Sequence, residues 1–204
     1  MTETMRSRRL AAGLLLALPA LAMAHTGNDA GLHHEAHDAA GALAAGFAHP
    51  FTGLDHLAAM VALGVWSAMT ARRAWIAPLA FAGTLLMGAL LGLAGVTLPA
   101  VEPMIAASLL VLGLLVATRI RLPAAAAAAL VGLFAVFHGV AHGHELARED
   151  GAALTLAGMV GATVLLHAAG IAAGWALRHA NAWLPRMAGA AVLGLGATLL
   201  AQAI

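Results

Sequence analysis

The sequence predicts an all-α integral membrane protein, a cleaved N-terminal signal peptide followed by about six transmembrane helices. Three observations carry this. The chain is 62% hydrophobic and 9% charged, with a mean hydropathy of +0.92, whereas a soluble domain has about 25% charged residues. Six apolar stretches follow one another, at about residues 45–69, 75–95, 103–118, 122–141, 152–177 and 183–203, each near the ~20 residues that cross ~30 Å of hydrocarbon. Only a helix satisfies its own backbone groups within one such stretch. Finally, 23 glycines and many alanines suit helices that approach closely in lipid.

Residues 1–24 have a basic start (Arg6, Arg8, Arg9), an apolar run and the small-x-small site Ala22-Met23-Ala24, the pattern of a secretory signal. Its removal leaves seven arginines against eight acidic residues. The pI of 9.2 therefore reflects the leader, and no nucleic-acid partner is expected. Residues 25–40 form a polar, His-rich segment, and residues 41–204 the six-helix domain. Arg72 and Arg73 follow span one, Arg119 and Arg121 follow span three, and Arg178 and Arg186 flank the loop after span five. By the positive-inside rule these loops are cytoplasmic, and the mature N-terminus is outside, as a cleaved signal requires. Trp66, Trp75, Trp175 and Trp183 fall towards the cytoplasmic ends, where interfacial anchors belong. The absence of cysteine excludes disulfides and thiolate metal sites. Two halves of three spans have opposite topology, and each opens with a span bearing a histidine motif, a pattern similar to the inverted repeats of secondary transporters.

Two polar islands interrupt the apolar spans. The first is His49-Pro50-Phe51-Thr52-Gly53-Leu54-Asp55-His56. Ionisable groups at such depth cost about 2.5–3.5 kcal/mol each on insertion scales, so they are rare and functional by default. Pro50 and Gly53 predict a break over His49–Gly53, with helix resuming near Leu54. Asp55 and His56 then lie in a first turn, whose free N–H groups favour a carboxylate. Asp55 supplies negative charge for a cation leaving water; its bland alternative is a helix cap, a role open also to Thr52. The second island is Phe137-His138-Gly139-Val140-Ala141-His142-Gly143-His144-Glu145. His138, His142 and Glu145 recur at i, i+4 and i+7 and share one helical face. Gly139 and Gly143 leave room for another helix. His144 falls off this stripe and is expected in a loop, and Glu102 reads as a helix-start acid. Imidazole and carboxylate ligands suit borderline divalent ions such as nickel, cobalt, zinc and copper(II). Counted from the arginines, both islands reach the outer edge of the membrane, so they share one ion if spans one and four are neighbours.

HPFTGLDHLAAMVALGVW and FHGVAHGHE together resemble the HupE/UreJ family of nickel permeases, and the leader and the order of spans match as well. The resemblance implies a bacterial inner-membrane permease, not an enzyme, importing nickel, in some members cobalt, for hydrogenase or urease maturation. It implies that His49, Asp55, His56, His138, His142 and Glu145 handle the ion, which is cargo rather than a resident cofactor. His25, with its free amine, and His33, His34 and His37 would form an external metal-gathering arm, or an ordinary solvated lead-in. His167, inside span five, is a second stop along the path or a buried hydrogen-bonding residue. Met60, one turn after His56, is otherwise a packing residue. No G-x4-G-K-[ST] loop is present, so the chain hydrolyses no ATP through one. The rival class is an intramembrane zinc hydrolase that would use the same His/Asp cluster to activate water. A metal sensor without transport would need an output domain.

Overall fold

The computed structural model describes residues 39–179 and 181–204. The signal peptide and His25, His33, His34 and His37 lie outside the described residues. Seven helices and no strand occur among those described: α1 Ala39–Thr52, α2 Leu54–Thr70, α3 Ile76–Leu93, α4 Val101–Thr118, α5 Ala124–Leu146, α6 Ala152–Leu177 and α7 Trp183–Ala203. Helices α3 to α7 are long and apolar enough to cross a membrane. Helices α1 and α2 pass the same test only together, bent by 79° at their junction. The protein is a multi-pass membrane protein.

The break between α1 and α2 is narrower than the sequence predicts. Pro50 lies inside α1, and the chain departs from helix at Gly53 alone, with φ −93° and ψ 115°. Proline's fixed φ is helical, and its missing N–H deprives only the Gly46 carbonyl, so α1 continues past it. At Gly53 the chain turns, and the Thr52 hydroxyl donates to the His49 carbonyl oxygen at 2.8 Å. A hydroxyl thus adds a bond to a carbonyl beside the break, as Ser and Thr side chains do at interrupted helices in lipid. Gly53, the cap residue of α2, makes no side-chain cap bond, and the Thr52 hydroxyl bonds back into α1, which removes the capping role for Thr52.

Three intimate pairs build the bundle: α3 with α5, α4 with α7, and α1 and α2 together along α6. Each seam is lined by glycine. Gly88 and Gly92 of α3 meet Gly139 and Gly143 of α5, Gly113 meets Gly189, Gly46 meets Gly158, and Gly64 meets Gly170. A methyl group at Gly139 would overlap the Leu85 carbonyl oxygen, and one at Gly88 would come within 2.5 Å of the Val136 carbonyl. Backbones in such contact gain dispersion along their whole length, the main attraction between helices in lipid. The registers also give direction. Gly88 faces Val136 and Gly92 faces Val140, so α3 and α5 are parallel; Gly113 faces Gly189 while Ala106 faces Gly196, so α4 and α7 are antiparallel. These senses are the ones six alternating crossings produce when α1 and α2 count as one span.

Met60, Leu63, Phe81, Leu85 and Leu109 fill the interior, while Leu79, Met87, Leu133 and Leu165 face outward. Met60 is a packing residue. Trp66 departs from the expected interfacial role: it is 2% exposed, and its Nε1–H donates to the Ile120 carbonyl at 2.9 Å. Its polar edge is satisfied inside the protein and has no need of the membrane interface. Trp75, Trp175 and Trp183 are exposed.

Candidate metal centre

The bend at Gly53 places the last turn of α1 and the first turn of α2 around one point, and the last two turns of α5 close on it. Imidazole centroids lie 4.5 Å apart for His56 and His142, 5.0 Å for His49 and His142, 5.3 Å for His56 and His138, and 6.2 Å for His49 and His56. All six residues implied by the two motifs therefore meet, although His49 and Glu145 are separated by most of four spans in sequence. His49, His142 and Glu145 each offer one ligand atom within 4.8 Å of the others. The His49 Nε2 to Glu145 Oε2 separation is 3.8 Å. Asp55, His56 and His138 adjoin this trio on its buried side, where Asp55 and His56 are each 5% exposed.

Two of the imidazoles are oriented by carboxylates. His56 Nδ1 lies 3.0 Å from Asp55 Oδ1, and His142 Nδ1 lies 3.2 Å from Glu145 Oε2. An ionised carboxylate only accepts, so each Nδ1 carries a proton, and a ring that is neutral then presents its lone pair at Nε2. Carboxylate–imidazole pairs of this kind fix ring orientation at metal sites and raise ligand basicity. His142 Nε2 and His138 Nδ1 are buried and meet no hydrogen-bond partner among the described residues. Buried lone pairs left unanswered cost free energy unless something polar visits them. Such a set is suited to a cation that binds and leaves.

A cavity of about 230 Å³ opens beside the cluster, lined by His49, Asp55, His56, His142 and Glu145 and also by Glu102, His144 and Gln202. His144 is thus on α5 and at the cavity, not in a loop: the helix continues to Leu146. Glu102 is in the first turn of α4, as expected, and in addition contributes a carboxylate to the cavity wall. Gln202 comes from the far end of α7, and no local pattern singles it out. His167 stands apart from the cluster. It is 1% exposed, its Nε2 has no partner among the described residues, and its ring packs edge-on to Phe81 at 5.5 Å, as His138 does at 5.7 Å. Counting at about 1.5 Å per residue, His138, Phe81 and His167 lie about 12, 18 and 23 Å from the cavity-side ends of their helices. They form a descending series.

The chain matches the family described as HupE / UreJ protein over residues 13–199. Protein HupE of Rhizobium leguminosarum bv. viciae is 45% identical over 187 residues, which cover 91% of this chain and 93% of that protein. No solved structure matches. With both histidine motifs present and the similarity running almost end to end, the protein belongs to the HupE/UreJ family.

Proposed function

We propose that the protein is a secondary permease of six spans that imports nickel, with cobalt as a second cargo, across the bacterial inner membrane. The observation that carries this reading is the meeting of two distant polar islands at one cavity inside an apolar bundle. Four imidazoles and two carboxylates suit borderline divalent ions, and a neutral-ligand site with few fixed charges releases an ion more readily than a thiolate cage. The signal peptide of residues 1–24 is cleaved, the mature N-terminus is periplasmic, and His25, His33, His34 and His37 gather metal there. The ion is captured by His49, His142 and Glu145, passed to Asp55, His56 and His138, and moved inward past Phe81 to His167. A divalent ion gains about 4.6 kcal/mol per 100 mV on moving inward, enough for more than a thousandfold accumulation. The chain needs no catalytic step; the metal supplies hydrogenase or urease maturation proteins.

The test is uptake of radioactive nickel in a host without its own nickel importers. It compares the wild type with Asp55→Asn and His138→Ala at matched membrane expression, with cobalt, zinc and copper as competitors. Uptake by the wild type and its loss in both variants is the expected result. Wild-type cells that accumulate no metal would sink the permease reading, and purified protein holding zinc and cleaving a peptide or lipid would replace it with the hydrolase.

A further inference from the structure

Among the described residues His138 has no carboxylate partner, unlike His56 and His142. Its Nε2 instead lies 3.0 Å from the hydroxyl oxygen of Ser108, across the interface of α5 and α4. Ser108 is 0% exposed and is the sole polar residue of α4 between Glu102 and Thr118. A hydroxyl carries one proton, and Ser108 donates it back along its own helix to the Ile105 carbonyl at 2.6 Å. What the oxygen has left for His138 is a lone pair.

We infer that Ser108 is a positioning residue that holds His138 in the Nε2–H tautomer, so that this ring meets the transported ion through Nδ1. The inference rests on the reading of His138 as a ligand to the cargo. It makes the centre a mixed one. His56 and His142, whose Nδ1–H groups donate to carboxylates, offer Nε2 when neutral, whereas His138 offers the nitrogen nearer its own backbone. That nitrogen is buried without a partner among the described residues, as a lone pair reserved for a visiting cation would be. Binding through Nδ1 also brings the ion closer to the α5 axis. A second consequence concerns strength. A hydroxyl is a weaker acceptor than a carboxylate, so His138 is held by the weakest of the three orienting partners and is the ring best suited to let the ion go inward.

The experiment has two parts. Nitrogen-15 NMR of histidine-labelled, metal-free protein, with His138 assigned by its absence in His138→Gln, reads the tautomer directly. The wild type should show a protonated Nε2 and an unprotonated Nδ1, and Ser108→Ala should lose that preference. In uptake assays Ser108→Ala should raise the apparent KM for nickel about tenfold, the range typical of lost ligand-orienting partners, and Ser108→Thr should restore it. A proton on Nδ1 in the wild type overturns the inference, and so does a Ser108→Ala KM within about twofold of wild type. The NMR result needs no transport, so a wild type that imports nothing refutes the permease reading while leaving the tautomer measured. If Ser108→Ala fails to fold, the wild-type spectrum still decides.

Discussion

Glu145 holds two jobs at the rim that a substitution can separate. Its carboxylate accepts from His142 at 3.2 Å and faces His49 at 3.8 Å, so it both orients an imidazole and supplies charge. Glu145→Gln keeps an acceptor and removes the charge; Glu145→Leu removes both. Loss of an orienting partner costs about 10–100-fold in metal affinity. The expected order of apparent KM for nickel is therefore wild type, then Glu145→Gln, then Glu145→Leu, measured at equal protein in the membrane. His167 should behave in the opposite way. It lies beyond Phe81 and outside the capture cluster, so His167→Leu should leave KM within about twofold and lower the maximal uptake rate. A rise in KM with an unchanged rate would place His167 in the capture site instead. The motif residues are legible in the sequence because a polar group costs so much in an apolar span that its presence is itself a signal. Ser108, Glu102 and Gln202 are not. A serine or a helix-start acid is ordinary in such helices, and nothing local couples Ser108 to a histidine thirty positions away.

At the level of helices, apolar length places α3 to α7 to within about five residues, whereas span one is a bent pair that begins at Ala39, and the differences have physical causes. Helix α5 runs on to Leu146 because its last two turns face protein, so polar side chains there need not end it. The bend sits at Gly53, whose backbone is extended, and not at Pro50, whose fixed φ is helical. Gly139 and Gly143 signal room for a neighbour, but which helix comes is visible only in their register with Gly88 and Gly92 of α3. That seam makes a sharp test. Gly139→Leu would drive a side chain into the Leu85 carbonyl and part α5 from α3, and overpacking of this kind costs about 1–3 kcal/mol or more. Gly83, on the same helix α3, has nothing within 4 Å of the point where a side chain would begin. Thermal unfolding of the detergent-purified protein should therefore show a clear loss of stability for Gly139→Leu and nearly wild-type behaviour for Gly83→Leu. Equal effects would mean that the seam contributes nothing special.

Across the whole molecule, the pairing has a symmetry that bears on how an ion crosses. Exchanging the first three spans with the last three carries the α3–α5 pair onto the pair that α6 forms with α1 and α2, and it carries the α4–α7 pair onto itself. This is the relation inverted repeats impose. The exchange is broken at one place. Helix α2 packs on α4, but no comparable contact joins α5 to α7 among the described residues, and the cavity lies in that gap. At the opposite end α2 is tied down twice: Trp66 donates to Ile120 at 2.9 Å, and Arg178 Nε donates to the Ala68 carbonyl at 2.7 Å. One gap is open and its counterpart is latched. If import proceeds by exchanging the two, the Trp66 bond must break as the cavity closes. Removing it with Trp66→Phe should shift the balance towards the inward-open form by about fivefold for a bond worth about 1 kcal/mol. The chain has no cysteine, so a single Gln202→Cys reports on the cavity cleanly. A membrane-impermeant maleimide should label it from the periplasmic side, nickel should protect it, and adding Trp66→Phe should slow the labelling. Labelling at an unchanged rate would mean that the latch does not set the balance between the two gaps, and labelling only from the cytoplasmic side would invert the orientation that the arginines imply.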